Sequence, residues 1–201
     1  MLNYYFRDSI ESFLQKSTEE IIGAITISNQ FDSTQSQNAS WEQQISILKK
    51  ALGGYRGIVF FEFSIPRMGK RIDSLVIIGN VVFVIEFKVG ERKFLNYHID
   101  QVWDYALDLK NFHKPSHNVV LAPVLVSTEA KNSFLEISTT SHNDKLILPI
   151  KSTQDDLKVA IEGTLNFFKS DEIVNGEEYA RGSYSPTPTI IEAAVSLYNN
   201  H

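Results

Sequence analysis

From Gly57 to Lys88 the chain is apolar almost throughout, and its two breaks, Pro66–Lys70 and Gly79-Asn80, consist of residues that reverse a backbone. The pattern reads as three strands, Gly57–Ile65, Arg71–Ile78 and Val81–Lys88. A Gly-x pair between two apolar runs suits a two-residue hairpin turn, so the last two strands are expected to be antiparallel neighbours. The first strand should join them across the Pro66–Lys70 turn, giving a three-stranded antiparallel unit. Asp73 and Glu86 interrupt the apolar pattern. Side chains alternate across a strand, so Glu86 and Lys88 should leave by one face while Ile85 and Phe87 take the other.

Helical patterns surround this unit. Asp8 and Glu11 form a candidate cap ahead of Ile10, Phe13 and Leu14, and Thr18–Ile27 carries Ile21, Ile22 and Ile25. Phe31–Ala39, rich in Ser, Gln and Asn, reads as a loop. Ser40, with Gln43 three residues on, should cap a helix through Trp41, Ile45, Leu48 and Leu52 that ends at Gly53-Gly54. Downstream, Leu95–Phe112 has near-helical spacing, Val119–Ser127 and Leu146–Ile150 read as strands, and Gln154–Lys169 as a helix. Asn175–Pro188 is turn-rich and leads to a short helix over Ile190–Tyr198. The order helix, three strands, helix, strand predicts a mixed α/β core with helices on both faces. We divide the chain into an N-terminal helical extension (1–39), a core (40–170) and a connector with a short helix (171–201).

Composition narrows the chemistry. There is no cysteine, which removes disulfides, thiolate zinc sites and cysteine nucleophiles, and fits a reducing, cytoplasmic setting. No apolar run approaches the roughly 20 residues of a membrane helix. Neither a Gly-x-x-x-x-Gly-Lys-Ser/Thr loop nor a Gly-x-Ser-x-Gly elbow is present, which disfavours nucleotide hydrolysis within the chain and serine hydrolase chemistry. His113 and His117 are four apart, but Pro115 between them argues for loop residues rather than zinc ligands. The net charge of −5 is unusual for a protein that grips phosphates. Distribution offsets the sum: Arg67, Lys70 and Arg71 precede the hairpin, and Lys88, Arg92 and Lys93 follow it, so cations gather around the acidic positions. Lys70, Arg71, Arg92 and Lys93 are the candidate nucleic-acid contacts.

Glu62, Asp73 and Glu86 are carboxylates set in or beside apolar strands, which is costly unless they are paired or bound to a cation. Magnesium prefers about six oxygen ligands, only a few of them carboxylates. Asp73 and Glu86 are the candidate direct ligands, with the Phe87 carbonyl as a third. Lys88 is placed to orient a water or neutralise a phosphate. Gln101 and Tyr105, one helical turn apart, project from a common face and could hold a water or phosphate oxygen. Glu-x-Lys alone carries little information, since Glu91-Arg92-Lys93 is a second copy. Context separates the two: Glu86 follows an apolar run, with Asp73 in the strand before.

Glu62, Asp73, Glu86-x-Lys88 and Gln101-x-x-x-Tyr105 together resemble the PD-(D/E)xK nuclease superfamily, in the order and setting of its RecB-like branch, over roughly Ser40–Ser127. Ile72 replaces the proline of the superfamily's name. The resemblance implies a restriction-endonuclease-like core, with magnesium (manganese as substitute) on Asp73 and Glu86, Glu62 assisting, Lys88 catalytic and Gln101 in support. It also implies hydrolysis of DNA, with RNA less favoured, leaving a 5′-phosphate. Tyr184-Ser185-Pro186-Thr187-Pro188-Thr189-Ile190-Ile191-Glu192-Ala193-Ala194 is similar to the connector between nuclease-like domain and motor in bacterial Schlafen group 3-type DNA/RNA helicases. That likeness implies a helicase motor as partner and a role in DNA processing or phage defence. The alternative from the same residues is a nuclease-like fold that binds nucleic acid or a partner without cutting.

Overall fold

A computed structural model of the chain describes residues 3–28 and 34–199. Its centre is one mixed six-stranded sheet in chain order, β1 (Phe6–Ser9), β2 (Ile58–Ser64), β3 (Arg71–Ile78), β4 (Val81–Lys88), β5 (Val120–Ser127) and β6 (Ile150–Ser152). The first four strands pair antiparallel, and β4, β5 and β6 run parallel. The β3–β4 hairpin closes through the Ile78↔Val81 pair, leaving Gly79-Asn80 as a two-residue loop with Gly79 at φ 57°. A first loop residue at positive φ matches the strand twist, and glycine adopts it without a side-chain clash.

Helices cover both faces. On one lie α1 (Ile10–Gln15), α2 (Thr18–Ser28), α3 (Gln35–Leu52) and α5 (Leu157–Phe167), burying Phe13, Ile25, Trp41, Leu48 and Ile161 against Phe61, Phe83 and Val124. On the other lie α4 (Asn96–Phe112) and α6 (Gly176–Ala180), burying Val102, Leu109 and Tyr179 against Phe60, Phe63 and Val84. This is an α/β fold with an open mixed sheet flanked by helices, compatible with a restriction-endonuclease-like core. The C-terminal α7 (Pro188–Asn199) buries none of its residues. No described helix is long and apolar enough to cross a membrane.

Several local expectations shift. Phe6–Ser9, not read as a strand, pairs with Ile58–Phe61, and the helix after it is capped by Ser9, whose hydroxyl accepts from the Ser12 amide at 3.1 Å. Asp8 instead accepts from the Ser9 amide and the Ser12 hydroxyl. Of the expected loop Phe31–Ala39, residues 31–33 lie outside the described residues, while Gln35–Ala39 is helical. Thr34 supplies the cap, six residues earlier than Ser40, whose hydroxyl accepts from the Gln44 amide side chain. Glu42 lies exposed partway along α3. The regular strand expected at Leu146–Ile150 starts at Ile150, because Pro149 has no amide to continue a ladder. Within the turn-rich stretch, Asn175 caps the short α6 by accepting from the Glu177 and Glu178 amides.

Candidate functional site

The sheet opens at Asp73. Pairing between β3 and β4 runs from Ile78↔Val81 down to Ser74↔Ile85 and stops there. The next residue of β3 is Asp73, and its side chain replaces the missing backbone rung: Asp73 Oδ2 accepts from the Phe87 amide at 2.9 Å. β4 meanwhile stays paired with β5 through Glu86↔Leu125 to Lys88↔Ser127. The result is a fork whose two prongs carry Asp73 and Glu86.

Glu62, on β2, has φ 54°, a region that costs a non-glycine residue about 1–3 kcal/mol. Its effect is visible in the packing. Phe61 faces the α3 side and Phe63, two residues on, faces the α4 side, where strict alternation would give them the same face. Across from it, Leu75 and Ile72, three residues apart, both face α4. Glu62 itself accepts a hydrogen bond from Trp41 Nε1 at 2.8 Å, and Arg71 lies 3.6 Å from its other oxygen.

Glu86 is 4 % exposed, and Lys88 Nζ donates to its Oε1 at 2.9 Å. Lys88 also donates to Gln101 Oε1 at 2.8 Å, and Gln101 Nε2 donates to the Tyr105 hydroxyl at 2.8 Å. The chain Glu86, Lys88, Gln101, Tyr105 thus runs from β4 onto α4, fixing the lysine between a carboxylate and an amide. Glu86 Oε2 is buried without a partner. Burial pushes the Glu86 carboxyl up, against the pull of Lys88. Asp73 is held well above the usual carboxylate range by burial and by the nearby Glu86 charge, against the Phe87 amide. Burial likewise raises the Tyr105 phenol, so it stays a neutral hydroxyl.

Two like charges with one orphaned oxygen are what a hard cation would relieve. Among the described residues no group of three or more His, Cys, Asp or Glu forms a metal cluster. The donor set is therefore small, two carboxylates and backbone oxygen, which is how magnesium is held when water and substrate complete its shell. Glu62 is engaged by Trp41 and Arg71, close enough for its charge to raise both neighbouring carboxyls.

The expected basic contacts divide. Lys70 is paired with Asp108 at 2.7 Å, and Arg71 lies over the Tyr5 ring at 4.4 Å as well as beside Glu62. Arg92 pairs with Glu129 at 3.0 Å but is exposed, and Lys93 is exposed with no ion pair among the described residues. Sequence reasoning missed the Trp41–Glu62 bond, since Trp41 lies inside α3 and reads there as a core residue. It also missed His113, which is buried: its Nδ1 is 2.8 Å from Ser116 Oγ, and that oxygen is 2.6 Å from the Tyr179 hydroxyl. No family model matches the chain, and no curated protein or solved structure matches it significantly.

Proposed function

We propose that the β3–β4 fork is the site of a metal-dependent phosphodiesterase acting on nucleic acid, DNA in preference to RNA. The observation that carries this reading is the buried, unpartnered Glu86 Oε2 in a carboxylate whose neighbour is a second carboxylate. Asp73 and Glu86 would hold a divalent cation such as magnesium, or manganese in its place, with the Phe87 carbonyl as a further oxygen. When bound, such an ion offsets charge on the scissile phosphate and lowers the pKa of a coordinated water.

The chain's own groups divide the remaining work. The Lys88 ammonium has three donors, of which Glu86 and Gln101 take two, leaving one for an attacking water or a phosphate oxygen. Gln101 positions that ammonium, and Tyr105 in turn holds the Gln101 amide. Glu62 adds negative charge beside the pair, strengthening its demand for a cation. The likeness of the residue set to the RecB-like branch supports the same reading. The tail's likeness to the helicase connector supports placing the domain in a cytoplasmic helicase-nuclease.

A second reading, a nuclease-like fold that grips nucleic acid without cutting, draws on Lys88, which already neutralises one Glu86 oxygen. Incubating the chain with labelled single- and double-stranded DNA and RNA in magnesium, manganese or chelator separates the two. Hydrolysis is expected with metal only, and should fall on the order of 100-fold or more in Asp73→Ala and in Lys88→Ala. Cleavage that survives both substitutions would sink the site; salt-sensitive binding without cleavage would favour the second reading.

A further inference from the structure

We infer that a basic, aromatic groove at the ends of the three parallel strands binds single-stranded nucleic acid and leads it to the β3–β4 fork. The inference rests on the proposed function for the meaning of the fork, but not for the groove's own binding.

The groove has a cavity volume of about 800 Å³ and is lined by Arg92, Lys93, Phe94, Lys131, Phe134 and Lys151, among others. Each parallel strand contributes a cation beyond or at its end: β4 is followed by Arg92 and Lys93, β5 by Lys131, and β6 carries Lys151. Parallel strands in open α/β sheets commonly bind ligands outside their carboxyl ends. Four cations face a single carboxylate in the lining, Glu129, which Arg92 already engages. In a chain of net charge −5 that local excess is out of keeping with the whole surface.

The groove is built rather than incidental. The Thr128 amide donates to the Lys88 carbonyl at 3.2 Å, the Glu129 amide to the Glu91 carbonyl at 3.0 Å, and Ser127 Oγ to the Lys93 carbonyl at 3.0 Å. These bonds tie its floor to the strand end that bears Glu86 and Lys88. Phe134 and Lys151 exchange backbone hydrogen bonds in both directions, at 2.8 and 3.3 Å. Phe134 is nonetheless 58 % exposed, with Phe94 packed edge-on at 6.0 Å and the Lys151 ammonium 4.9 Å from its ring centre. An exposed ring held among cations serves a ligand that alternates flat bases with phosphates, as a single strand does. A duplex hides its base faces and has no use for Phe134. The hollow on the other flank of α4 is lined by Asp100, Asp104, Gln101, Tyr105 and Lys70, whose ammonium Asp108 already pairs, so it offers a strand two carboxylates against one engaged cation where the groove offers four cations against one carboxylate.

Fluorescence anisotropy of a labelled 15-nucleotide single strand, in chelator so that no cutting occurs, tests the groove. The double charge reversal Lys131→Glu/Lys151→Glu is expected to weaken binding at least ten-fold and to flatten the salt dependence by about 0.7 per lost phosphate contact. Phe134→Ala should weaken it about five-fold or more and Phe134→Tyr restore it, while Lys50→Glu, an exposed charge on α3, should change it less than two-fold. Thermal unfolding confirms that each variant is folded. Equal binding of a duplex, a silent Phe134→Ala, or charge reversals no stronger than Lys50→Glu would overturn the groove. Groove binding in a chain that does not cut with metal would overturn the hydrolytic reading alone; cutting at sub-saturating substrate that ignores the groove variants would overturn the groove alone.

Discussion

The two ends of α4 each meet a buried polar cluster, and the clusters are built on opposite principles. At its C-terminal end His113, Ser116 and Tyr179 are all fully buried and linked by 2.8 and 2.6 Å hydrogen bonds. A Cβ on Gly182 would lie 2.0 Å from His113 Nε2, so only glycine lets the chain close over the ring. His113 Nε2 lacks a partner, but burial holds the ring neutral, with its pKa lowered to about 4. Toward the other end, Gln101 meets Lys88 and Glu86, where the orphaned atom belongs to a carboxylate and a second carboxylate stands beside it. An orphan nitrogen on a neutral ring is tolerable; unrelieved like charge is a standing cost. The first cluster pins the connector to the core, and the second is left wanting a cation.

The comparison can be broken most strongly with acid. His113 titrates near 6.5 when unfolded and near 4 when folded, so between those values the unfolded chain binds the extra proton. Its contribution is therefore full above pH 6.5 and is lost as pH falls towards 4, a loss of about 3 kcal/mol. Urea unfolding across that window should show the midpoint dropping, and a profile without such a fall would mean that the ring is not sealed. Tyr179→Phe, which removes one hydroxyl from the network, should cost about 1–3 kcal/mol by the same measurement.

The fork has the opposite sign. Asp73 and Glu86 have raised folded pKa values, so the folded chain holds protons that the unfolded chain has shed. Without a cation their contribution is full below the ordinary carboxylate range and is lost as pH rises from there through the raised folded values. Asp73→Asn removes one charge while keeping an acceptor for the Phe87 amide. In chelator at pH 8 it should unfold at a higher temperature than the parent, by roughly 2–4 °C for each kcal/mol relieved. A lower unfolding temperature would show that the Asp73 charge is already compensated within the fold.

How much of this the sequence made legible depended on distance along the chain. The Gly79-Asn80 turn sets the register of β3 and β4, so Glu86 and Lys88 sharing a face and Asp73 lying across from them follow from period-two alternation. Gln101 and Tyr105 meeting at 2.8 Å follows from helical spacing in the same way. Glu86-x-Lys88 and Glu91-Arg92-Lys93 show where local pattern stops. The first is buried in a sheet, while Glu91 spends its carboxylate on the Arg92 and Lys93 amides of an exposed turn. The positive φ of Glu62 had no local sign, since glutamate has no preference for that region and tertiary packing imposes it. Nor did the groove: Phe134 and Lys151 come from loop and strand 17 positions apart and meet only through a long-range bridge. Four-residue β1 lacks the length for a period-two signal and is defined by its partner β2.

The most direct measurement is calorimetric titration of manganese into the full chain at pH 8, beside Glu86→Gln and Glu91→Gln. One equivalent should bind to the parent and to Glu91→Gln, and binding should be lost in Glu86→Gln. Binding that persists in Glu86→Gln, or no binding to the parent at all, would contradict a cation site at the β3–β4 fork.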